Sequence, residues 1–570
     1  MLQDPNPHLL DLLSSGEFRL MLDDIQPLLA KHGGPTLGFL EDLIESGVIS
    51  KERAARLWGD SIHVAYVNPL MAIVTTEATE RLPKEICEKA AVLPLYMIEG
   101  VLTVAMADPR DQRMQQRIAS IAGVPISAVF GLPREIQDAI NLYYLSQDTV
   151  QSAIAAFERK QTNEIEKLSE DDLKRFADSN LLSQILDELI LFAIRERASD
   201  IHFEATEDQA RIRFRIDGKL IHIYTYNRAV HRAFAIRLKV LCKLDIAESR
   251  FPQDGRFSMP LGMGKADFRL SFCPTVHGPK IVLRILAGVG RTRLMTLDEM
   301  MVSRNVLDPF RRLVQSPNGI IFVTGPTGSG KTTTLYSALQ EINTADLNIS
   351  TIEDPVEVQM AGLTQTQVNS QIDLKFSTLL RSMLRQDPDV LLVGEIRDLE
   401  TAKIACEAAL TGHLVLSTLH TNNAIQAVTR LIEIGIEPYM VAPSMLGVLA
   451  QRLAARICEK CKEPYYPSRN QLERYFKDIP DDREVPFYHG RGCNHCRQSG
   501  LRGRIAFHEL LVVTNELRSL INRSASEAEM LVAARKAGYR SLRYDGLKKV
   551  LLGLTTIEEI EAQSVVEWED

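Results

Sequence analysis

The chain has 570 residues, which at a typical domain size of about 150 residues corresponds to roughly four domains and excludes a single compact core. Hydrophobic residues make up 45% of the sequence and charged residues 25%, proportions that exclude a disordered or fibrous chain. The 66 basic and 74 acidic residues give a formal net charge of −8, so the chain lacks the overall positive charge typical of nucleic-acid-binding proteins.

The sequence offers no signal for membrane insertion or export. No stretch reaches the roughly 18 apolar residues that a membrane-spanning helix needs. The opening residues, MLQDPNPHLL, lack the basic and then apolar pattern of a signal peptide. We therefore expect a cytoplasmic protein without a membrane span of its own.

The first third of the chain predicts a helical segment followed by a small α/β domain. Residues 1–58 space their apolar side chains three and four apart, as in short amphipathic helices. Residues 59–148 combine helical patterns with the strand-like run GVLTVAM at 100–106. Residues 149–175 are polar and charged, which is typical of a linker.

Two further domains are predicted after the linker. Residues 176–290 begin with an apolar-periodic helix and continue with alternating strand candidates, which indicates an α+β domain with an antiparallel sheet. Residues 291–570 begin with apolar β-branched runs separated by helical segments, the pattern of a parallel sheet covered on both faces. From about residue 450 the sequence predicts two cysteine pairs and then helices to the end.

A phosphate-binding loop is predicted between a strand and a helix of the last domain. The sequence GPTGSGKT matches the P-loop pattern, follows the strand candidate IIFVT and precedes the helical TTTLYSALQEI. Its glycines let backbone N–H groups surround phosphates at a helix N-terminus, its lysine reaches the β- and γ-phosphates, and Thr332 binds Mg²⁺. The residues predicted to bind ATP are Gly325, Pro326, Thr327, Gly328, Ser329, Gly330, Lys331, Thr332 and Thr333.

Two acidic groups follow later strand candidates. Glu353, Asp354 and Glu357 lie in TIEDPVE, and Glu395 ends the run VLLVGE. Residue 394 is glycine, where many P-loop proteins carry the Asp that binds Mg²⁺, so one of these groups must serve the metal and the attacking water. Spacing leaves open whether Glu357 or Glu395 is the general base, and a solvated strand-end carboxylate is the alternative for each.

Two histidines flank the next strand candidate, TGHLVLSTLHTN. His413 stands at its start and His420 at its end. A histidine at a strand end is often structural, and the spacing alone does not decide between that reading and a catalytic one.

The order of these segments resembles that of a known family. GPTGSGKT, TIEDPVE, LRQDPDVLLVGEIRD and TGHLVLSTLHTN are similar to the Walker A motif, Asp box, Walker B motif and His box of the secretion-superfamily hexameric ATPases that drive type II secretion and type IV pilus assembly. The resemblance covers about residues 176–560. It implies a RecA-like P-loop ATPase core preceded by a smaller α+β domain and an N-terminal α/β docking domain, with His413 and His420 in the His box and His420 sensing the γ-phosphate.

The same resemblance implies that the smaller domain supplies arginines to the nucleotide. The matching residues are Arg269 and Arg284, which would otherwise be read as solvated strand residues. Arg381, Arg385 and Arg397 match family arginines around the Walker B motif, and a surface ion-pair network is the alternative role for them.

Two CxxC pairs predict a zinc site. Cys458, Cys461, Cys493 and Cys496 supply four thiolates, which complete a tetrahedral Zn²⁺ site and leave no open position for catalysis. We place this structural insert at residues 456–498, and free buried cysteines are the alternative. The assembly and secretion motors resemble the chain in carrying such an insert, whereas pilus retraction motors generally lack it.

Residues 59–148 resemble, more weakly, the N-terminal docking domain of these motors. Some relatives bind cyclic di-GMP through an RLGxxL…GxI element near the start of the chain. Here GFLEDLIESGVI keeps the spacing of the leucine, glycine and isoleucine, but Gly38 occupies the position of the arginine. The element therefore lacks its phosphate-binding group.

Together these features predict a motor ATPase that uses ATP and Mg²⁺ to power the assembly of pilin or pseudopilin. The resemblance implies a homo-hexamer that acts on an inner-membrane platform protein and membrane-associated assembly subunits, without nucleic acid. It would lie in the cytoplasm and reach the inner membrane through these partners. The alternatives are an ATP-switched docking or scaffold protein with little turnover and a nucleic-acid translocase on a similar core. The sequence does not distinguish a secretion system, a pilus or a competence system.

Overall fold

The computed structural model describes residues 6–14, 22–70, 72, 74–144, 147–165, 180–261, 264–286, 295–369, 372–476 and 485–564. The chain divides into two compact units, Met1–Thr292 and Arg293–Asp570. Part of the predicted linker and the predicted domain boundary at residue 290 lie outside the described residues.

The first unit begins with short helices that share one apolar core. Phe39, Leu43 and Trp58 are among its buried side chains. The third helix begins after Thr36, whose hydroxyl accepts a hydrogen bond from the Phe39 N–H and so caps the helix. The helices are α1 Pro7–Ser14, α2 Leu22–His32, α3 Leu37–Glu45 and α4 Lys51–Ser61.

A small α/β layer follows in the same unit. Its three-stranded sheet has the order β1-β2-β3, with β1 and β2 antiparallel and β2 and β3 parallel. Glu99 and Gly100 form the β1–β2 turn, both at positive φ. The elements are α5 Thr76–Arg81, α6 Lys84–Ala90, β1 Val92–Ile98, β2 Val101–Met106, α7 Gln112–Ala122, β3 Ile126–Phe130 and α8 Pro133–Tyr143.

The rest of the first unit is an α+β arrangement around a six-stranded antiparallel sheet in the order β6-β5-β4-β9-β8-β7. Alternation along the strands buries one face, with Phe203, Phe214 and Leu270, in a core shared with the helices, and leaves charged side chains on the other. The elements are α9 Gln147–Ile165, α10 Asn180–Arg195, β4 Ala198–Ala205, β5 Gln209–Ile216, β6 Lys219–Asn227, α11 Arg228–Leu241, β7 Gln253–Leu261, β8 Gly264–Cys273 and β9 Lys280–Ile285.

The second unit is built on a seven-stranded sheet in the order β12-β11-β13-β14-β10-β15-β18. Its strands are parallel apart from β18, and the central ones are buried along their whole length, which confirms the predicted parallel sheet covered on both faces. The first elements are α12 Arg304–Val314, β10 Gly319–Thr324, α13 Lys331–Ile342, β11 Ile349–Glu353, β12 Leu363–Gln367, α14 Phe376–Met383, β13 Val390–Val393, α15 Leu399–Leu410, β14 Leu414–Leu419, α16 Ala424–Ile434 and α17 Pro438–Ser444.

The region after residue 450 differs from its predicted content, because strands as well as helices follow. The longest of the described strands, β15, pairs parallel with β10 on one side and antiparallel with β18 on the other. The remaining elements are β15 Met445–Ile457, β16 Lys462–Tyr465, α18 Arg469–Leu472, β17 Phe487–Gly490, a 3₁₀ turn at Asn494–Cys496, β18 Leu501–Val512, α19 Asn515–Asn522, α20 Glu527–Lys536, α21 Leu542–Leu551 and α22 Ile557–Gln563.

The parallel strands of the second unit end together at one edge of the sheet. Thr324 of β10 is aligned with Leu419 of β14, and Val393 of β13 with Ile352 of β11. Ligands of open α/β sheets bind outside the carboxyl ends of the strands, so this edge is the expected site. In the part of the chain that the structure describes, no helix is both long enough and apolar enough to cross a bilayer.

Candidate active site and tetracysteine cluster

The P-loop connects β10 to α13 in a conformation that requires glycine. Gly325, Gly328 and Gly330 have φ angles of 150°, 81° and 88°, which side chains of L-residues rarely permit. A Cβ atom on Gly325 would also lie 2.5 Å from the carbonyl oxygen of Gln451. The loop is therefore shaped by packing against β15 as well as by its own turns.

Lys331 lies at the start of α13 with its side chain folded over the loop. Its ammonium donates to the carbonyl oxygens of Gly325, at 2.9 Å, and Pro326, at 3.1 Å. Burial lowers the pKa of Lys331, and the Glu395 carboxylate opposes that shift. Among the described residues only neutral carbonyls bond to this cation, so a phosphate anion fits the position. Thr332 is exposed on the same first helical turn, where a magnesium ligand would stand.

Glu395 and His420 meet at the same edge, although they follow different strands. The Glu395 carboxylate lies 2.7 Å from Nε of Arg397 and 3.5 Å from Nε2 of His420. Burial lowers the pKa of His420, the charge of Lys331 adds to the effect, and Glu395 opposes it. Lys331, Glu395 and His420 thus form one cluster beside the P-loop, with the imidazole kept neutral at pH 7.

The acidic group after β11 divides into a buried and a more accessible part. Glu353 is 4% exposed, and its carboxylate accepts hydrogen bonds from the Thr351 hydroxyl at 2.6 Å, the Gln365 amide at 3.2 Å and the Tyr336 hydroxyl. The Glu357 N–H in turn donates to the Tyr336 oxygen at 3.3 Å. Both carboxylate oxygens of Glu353 are thus engaged in holding this loop.

Asp354 and Glu357 lie on the loop that Glu353 anchors. Asp354 is exposed and Glu357 is half-buried. The loop follows β11, which pairs directly with β13, and Glu395 comes two residues after the end of β13. Both acidic groups therefore reach the edge at which the P-loop lies.

The two predicted His box residues are not brought together. His413 precedes β14 and His420 follows it, so a six-residue strand, about 20 Å at 3.3 Å per residue, separates them. The His413 ring nitrogen Nδ1 lies 3.0 Å from the Ala408 carbonyl oxygen, and its own carbonyl accepts from the Gly319 N–H at 3.1 Å. The structure places His413 at the sheet edge opposite the P-loop of its own chain.

Arg269 and Arg284 lie in the first unit, directly opposite each other on β8 and β9. Arg256 on β7 is opposite Arg269, so three arginines form a row across the charged face of the sheet. Nε of Arg284 donates to Asp200 at 2.9 Å, while Arg269 is exposed. Like charges on paired strands repel each other, and such a row favours an anion.

The P-loop is also contacted from β15 by two residues that were not predicted from the sequence. Gln451 and Arg452 are buried and interrupt the otherwise apolar run MLGVLAQRLAARI. That polar dipeptide inside an apolar strand was the one signal that could have identified them.

The four predicted zinc ligands form a cluster, with their sulfur atoms within 4.8 Å of one another. Sulfur atoms are 3.8 Å apart between Cys458 and Cys493 and 3.7 Å between Cys461 and Cys496. Tetrahedral Zn²⁺ with bonds of about 2.3 Å requires sulfurs about 3.8 Å apart, so the geometry fits. Although burial opposes it, the N–H groups of Cys493 and Gly500 lower the pKa of the Cys496 thiol to about 7.

Residues 175–562 match the family described as type II/IV secretion system protein, and residues 60–150 match the MshEN domain. The type II secretion system ATPase E of Vibrio cholerae is 43% identical over 465 residues, which cover 78% of this chain and 92% of that protein. The type IV pilus assembly ATPase PilB of Myxococcus xanthus is 40% identical over 527 residues, covering 91% of this chain and 92% of that protein.

The fold agrees with these matches. The crystal structure of the ATPase DotB of Legionella pneumophila is similar with a TM-score of 0.50 and 22% identity, over 66% of this chain and 94% of that one. With two thirds of its sequence matched by one family and relatives of 40% identity along most of its length, the chain belongs to the type II/IV secretion system protein family.

Proposed function

We propose that the chain is a motor ATPase which powers the assembly of pilin or pseudopilin subunits in a type IV pilus or type II secretion system. The observation that carries the proposal is the cluster of Lys331, Glu395 and His420 at the P-loop edge. It occurs in a chain that is 43% and 40% identical to an ATPase of each of these machines. The chain hydrolyses ATP with Mg²⁺, as its family and its P-loop require.

Each residue of the cluster has a distinct task in this reaction. The P-loop N–H groups and the Lys331 ammonium bind the β- and γ-phosphates, and the Thr332 hydroxyl holds Mg²⁺. The metal supplies charge neutralisation at the phosphoryl group that is transferred. His420, neutral beside Glu395, is placed to hydrogen-bond the γ-phosphate and report its presence.

Glu395 is our candidate for the general base. It approaches His420 to 3.5 Å, and Arg397 holds the same carboxylate oxygen at 2.7 Å. Such a fixed carboxylate can orient a water for attack. The carboxylate oxygens of Glu353, by contrast, accept hydrogen bonds from three donors, which supports a positioning role. Glu357 and Asp354 remain candidates for water or metal contacts.

Arg269 and Arg284 are proposed to bring positive charge to the nucleotide during hydrolysis. A guanidinium row on a sheet face is stabilised by a polyphosphate, and the fork of an arginine matches its oxygens. Asp200 would hold Arg284 in place until then. We assign residues 1–58 to a helical segment, 59–148 to a docking domain, 149–175 to a linker, 176–290 to the arginine-supplying domain and 291–570 to the ATPase domain.

The tetracysteine cluster is proposed to hold a structural Zn²⁺ ion. Four thiolates close the coordination sphere, and the N–H groups directed at Cys496 favour the thiolate form that metals bind. The metal would fasten the β16–β17 excursion to the end of β15.

We further propose that the chain works as a homo-hexamer in the cytoplasm, bound through protein partners to an inner-membrane platform and its assembly subunits. The relatives that support this role are named for secretion and pilus assembly. No nucleic acid is expected as a partner of a chain with a net charge of −8. A competing function is an ATP-switched scaffold with little turnover.

The variants Lys331→Ala and Glu395→Gln test the proposed chemistry in the purified full-length protein. Lys331→Ala should lose ATP binding and turnover together, because it removes the phosphate-binding cation. Glu395→Gln should bind ATP normally while turnover falls by about 100-fold or more, since only water activation is lost. Steady-state ATPase rates and ATP titrations measure both. Glu473→Gln, an exposed position on the insert, is the matched control.

Full turnover in both variants would refute the assigned site. A wild-type oligomer that binds ATP but hydrolyses it at a negligible rate would favour the scaffold function instead.

A further inference from the structure

Gln451 and Arg452 lie where β15 passes the end of β10. Ala450 of β15 is aligned with Thr324, the last residue of β10, so the next two residues of β15 lie level with the P-loop. Gln451 is 0% exposed and Arg452 is 7% exposed. Burying an amide and a guanidinium in a sheet is costly unless their polar atoms have partners.

Gln451 binds the far half of the P-loop. Its amide Nε2 donates to the carbonyl oxygen of Ser329 at 2.6 Å, and its Oε1 accepts from the Thr334 hydroxyl at 2.7 Å. Both ends of the carboxamide are used, which fixes its orientation. The side chain therefore joins the loop and the first turn of α13 to β15.

Arg452 spans from the P-loop to the segment that follows β14. Its Nη2 donates to the Asn422 carbonyl oxygen at 2.7 Å, and its Nη1 donates to the Gln451 carbonyl oxygen at 3.2 Å. A Cβ atom on Gly325 would lie 3.1 Å from the same Nη1. The guanidinium thus lies beside the first glycine of the P-loop on one side. On the other side it bonds to the segment of residues 420–423, which we call the histidine segment because it begins with His420.

The histidine segment has a second attachment to the end of β10. The Thr421 N–H donates to the Thr324 hydroxyl oxygen at 2.9 Å, and the two hydroxyl oxygens are 2.8 Å apart. Arg452 and Thr324 therefore both link this segment to the residues that shape the phosphate site.

Burial lowers the pKa of Arg452, and the Glu509 carboxylate opposes that shift. The hydrogen-bond acceptors of Arg452 are carbonyl and amide oxygens, and the same is true of the nearby Lys331. The two cations repel each other, since the charge of Arg452 contributes to lowering the pKa of Lys331. A nucleotide polyphosphate in the P-loop would add negative charge beside both cations and so attract both.

We propose that Arg452 is a positioning residue that couples occupancy of the P-loop to the placement of His420. When a phosphate enters the P-loop, its negative charge attracts the Arg452 guanidinium. Because the guanidinium is hydrogen-bonded to Asn422, the histidine segment moves with it. This inference rests on the catalytic role proposed above for His420. It requires the planar fork of arginine, because one compact ammonium cannot bind both sides at once.

Arg452→Lys in the full-length protein tests the coupling, with Arg456→Lys on the same strand as the matched control. We expect Arg452→Lys to lower kcat about tenfold while the Kd for ADP changes by less than about threefold. Adding Arg452→Lys to His420→Ala should cost little more than His420→Ala alone, because the imidazole that Arg452 positions is already absent. Arg456→Lys should leave kcat and the ADP Kd unchanged.

Hydrogen exchange of the amides at 420–423, with and without ADP and Mg²⁺, measures the coupling independently of turnover. Nucleotide should slow this exchange in the wild-type protein and in Arg456→Lys but not in Arg452→Lys. Absence of a nucleotide effect in the wild-type protein, multiplicative kcat losses in the double variant, or equal losses in kcat and ADP affinity would overturn the proposal. Normal turnover of His420→Ala would refute the catalytic role of His420. The hydrogen-exchange result would then decide by itself whether Arg452 couples the P-loop to the histidine segment.

Discussion

At the scale of single residues, the protonation of His420 depends on its neighbours. Burial and the adjacent ammonium of Lys331 disfavour a charged imidazole, whereas Glu395 at 3.5 Å favours it, and the net effect lowers the pKa from its ordinary value of 6.5. The neutral ring can accept or donate one hydrogen bond at physiological pH. Protonation in acid would strengthen its pairing with Glu395 and withdraw the carboxylate from water activation.

We therefore predict that turnover falls in acid, with a midpoint below pH 6.5. The sign follows from the lowered pKa, since His420 is neutral above it and charged below it. kcat against pH is the measurement, and His420→Asn should abolish that acid limb. His489→Asn, at an exposed position on β17, is the matched control and should keep it. An acid limb with a midpoint above pH 7 would contradict the environment described for this imidazole.

The cluster of Lys331, Glu395 and His420 could be predicted because each residue ends or follows an apolar run, and parallel strands end at one edge. Gln451 and Arg452 stand out in the sequence only as a polar pair in an apolar run, and that signal does not reveal their roles. The acceptors that tie them to the site include distant main-chain carbonyls, such as that of Ser329, 122 residues away, and a main-chain acceptor leaves no pattern in the sequence.

At the scale of elements, the tetracysteine cluster lies between the end of β15 and the start of β18. Cys458 follows β15 directly, and its N–H donates to the Gly500 carbonyl oxygen at 2.9 Å. Between the two pairs lies the two-stranded β16–β17 sheet, which is too small to be stable by itself. A metal that joins both pairs would therefore contribute folding free energy to the whole insert.

Replacement of one cysteine ligand should reveal how much the bound metal contributes to stability. We predict that Cys461→Ser protein loses its zinc and unfolds about 10 °C below the wild-type Tm, since several kcal/mol of metal binding are lost. Cys273→Ser, a change at an exposed cysteine outside the cluster, should alter neither value. Elemental analysis and thermal unfolding give the two readouts. Well under one zinc per chain in wild-type protein purified without chelator would refute the metal site.

The central strands were predictable from their continuous apolar runs, but β15 and β18 were not. β15 includes Gln451, Arg452 and Arg456, and these polar residues hide the strand from a search for apolar or alternating runs. β18 begins with the charged stretch LRGR and ends in a buried apolar one, so one half resembles a loop and the other a strand. Pairing between the two, from Gly447 with Val512 onward, is a tertiary effect that overrides local pattern.

At the scale of the whole molecule, each compact unit carries one half of the proposed chemistry. The unit Met1–Thr292 holds the row of Arg256, Arg269 and Arg284, and the unit Arg293–Asp570 holds the P-loop. The proposed role of Arg269 and Arg284 at the nucleotide therefore involves residues of both units. An oligomer is the arrangement that the family resemblance implies for this purpose.

We predict that ATPase activity per chain rises with protein concentration. The active species should have a mass about six times the 63.9 kDa of the chain, because we expect turnover to need assembled sites. Sedimentation and ATPase rates over the same concentration range provide the comparison. Lys331→Ala protein should assemble without activity. Constant activity from a monomer would rule out the hexamer as the working form.

The long strand β15 gives the molecule a property that neither site has alone. It pairs with β10 up to Ala450 and with β18 from Gly447 to Ile457, so exchange of its paired amides requires the sheet to open. The strand contacts the P-loop through Gln451 and runs into Cys458 six residues after Arg452. The cysteine insert should therefore share the cooperative unfolding unit of the nucleotide site, and bound nucleotide should protect the insert from proteolysis even though it lies at the other end of the strand.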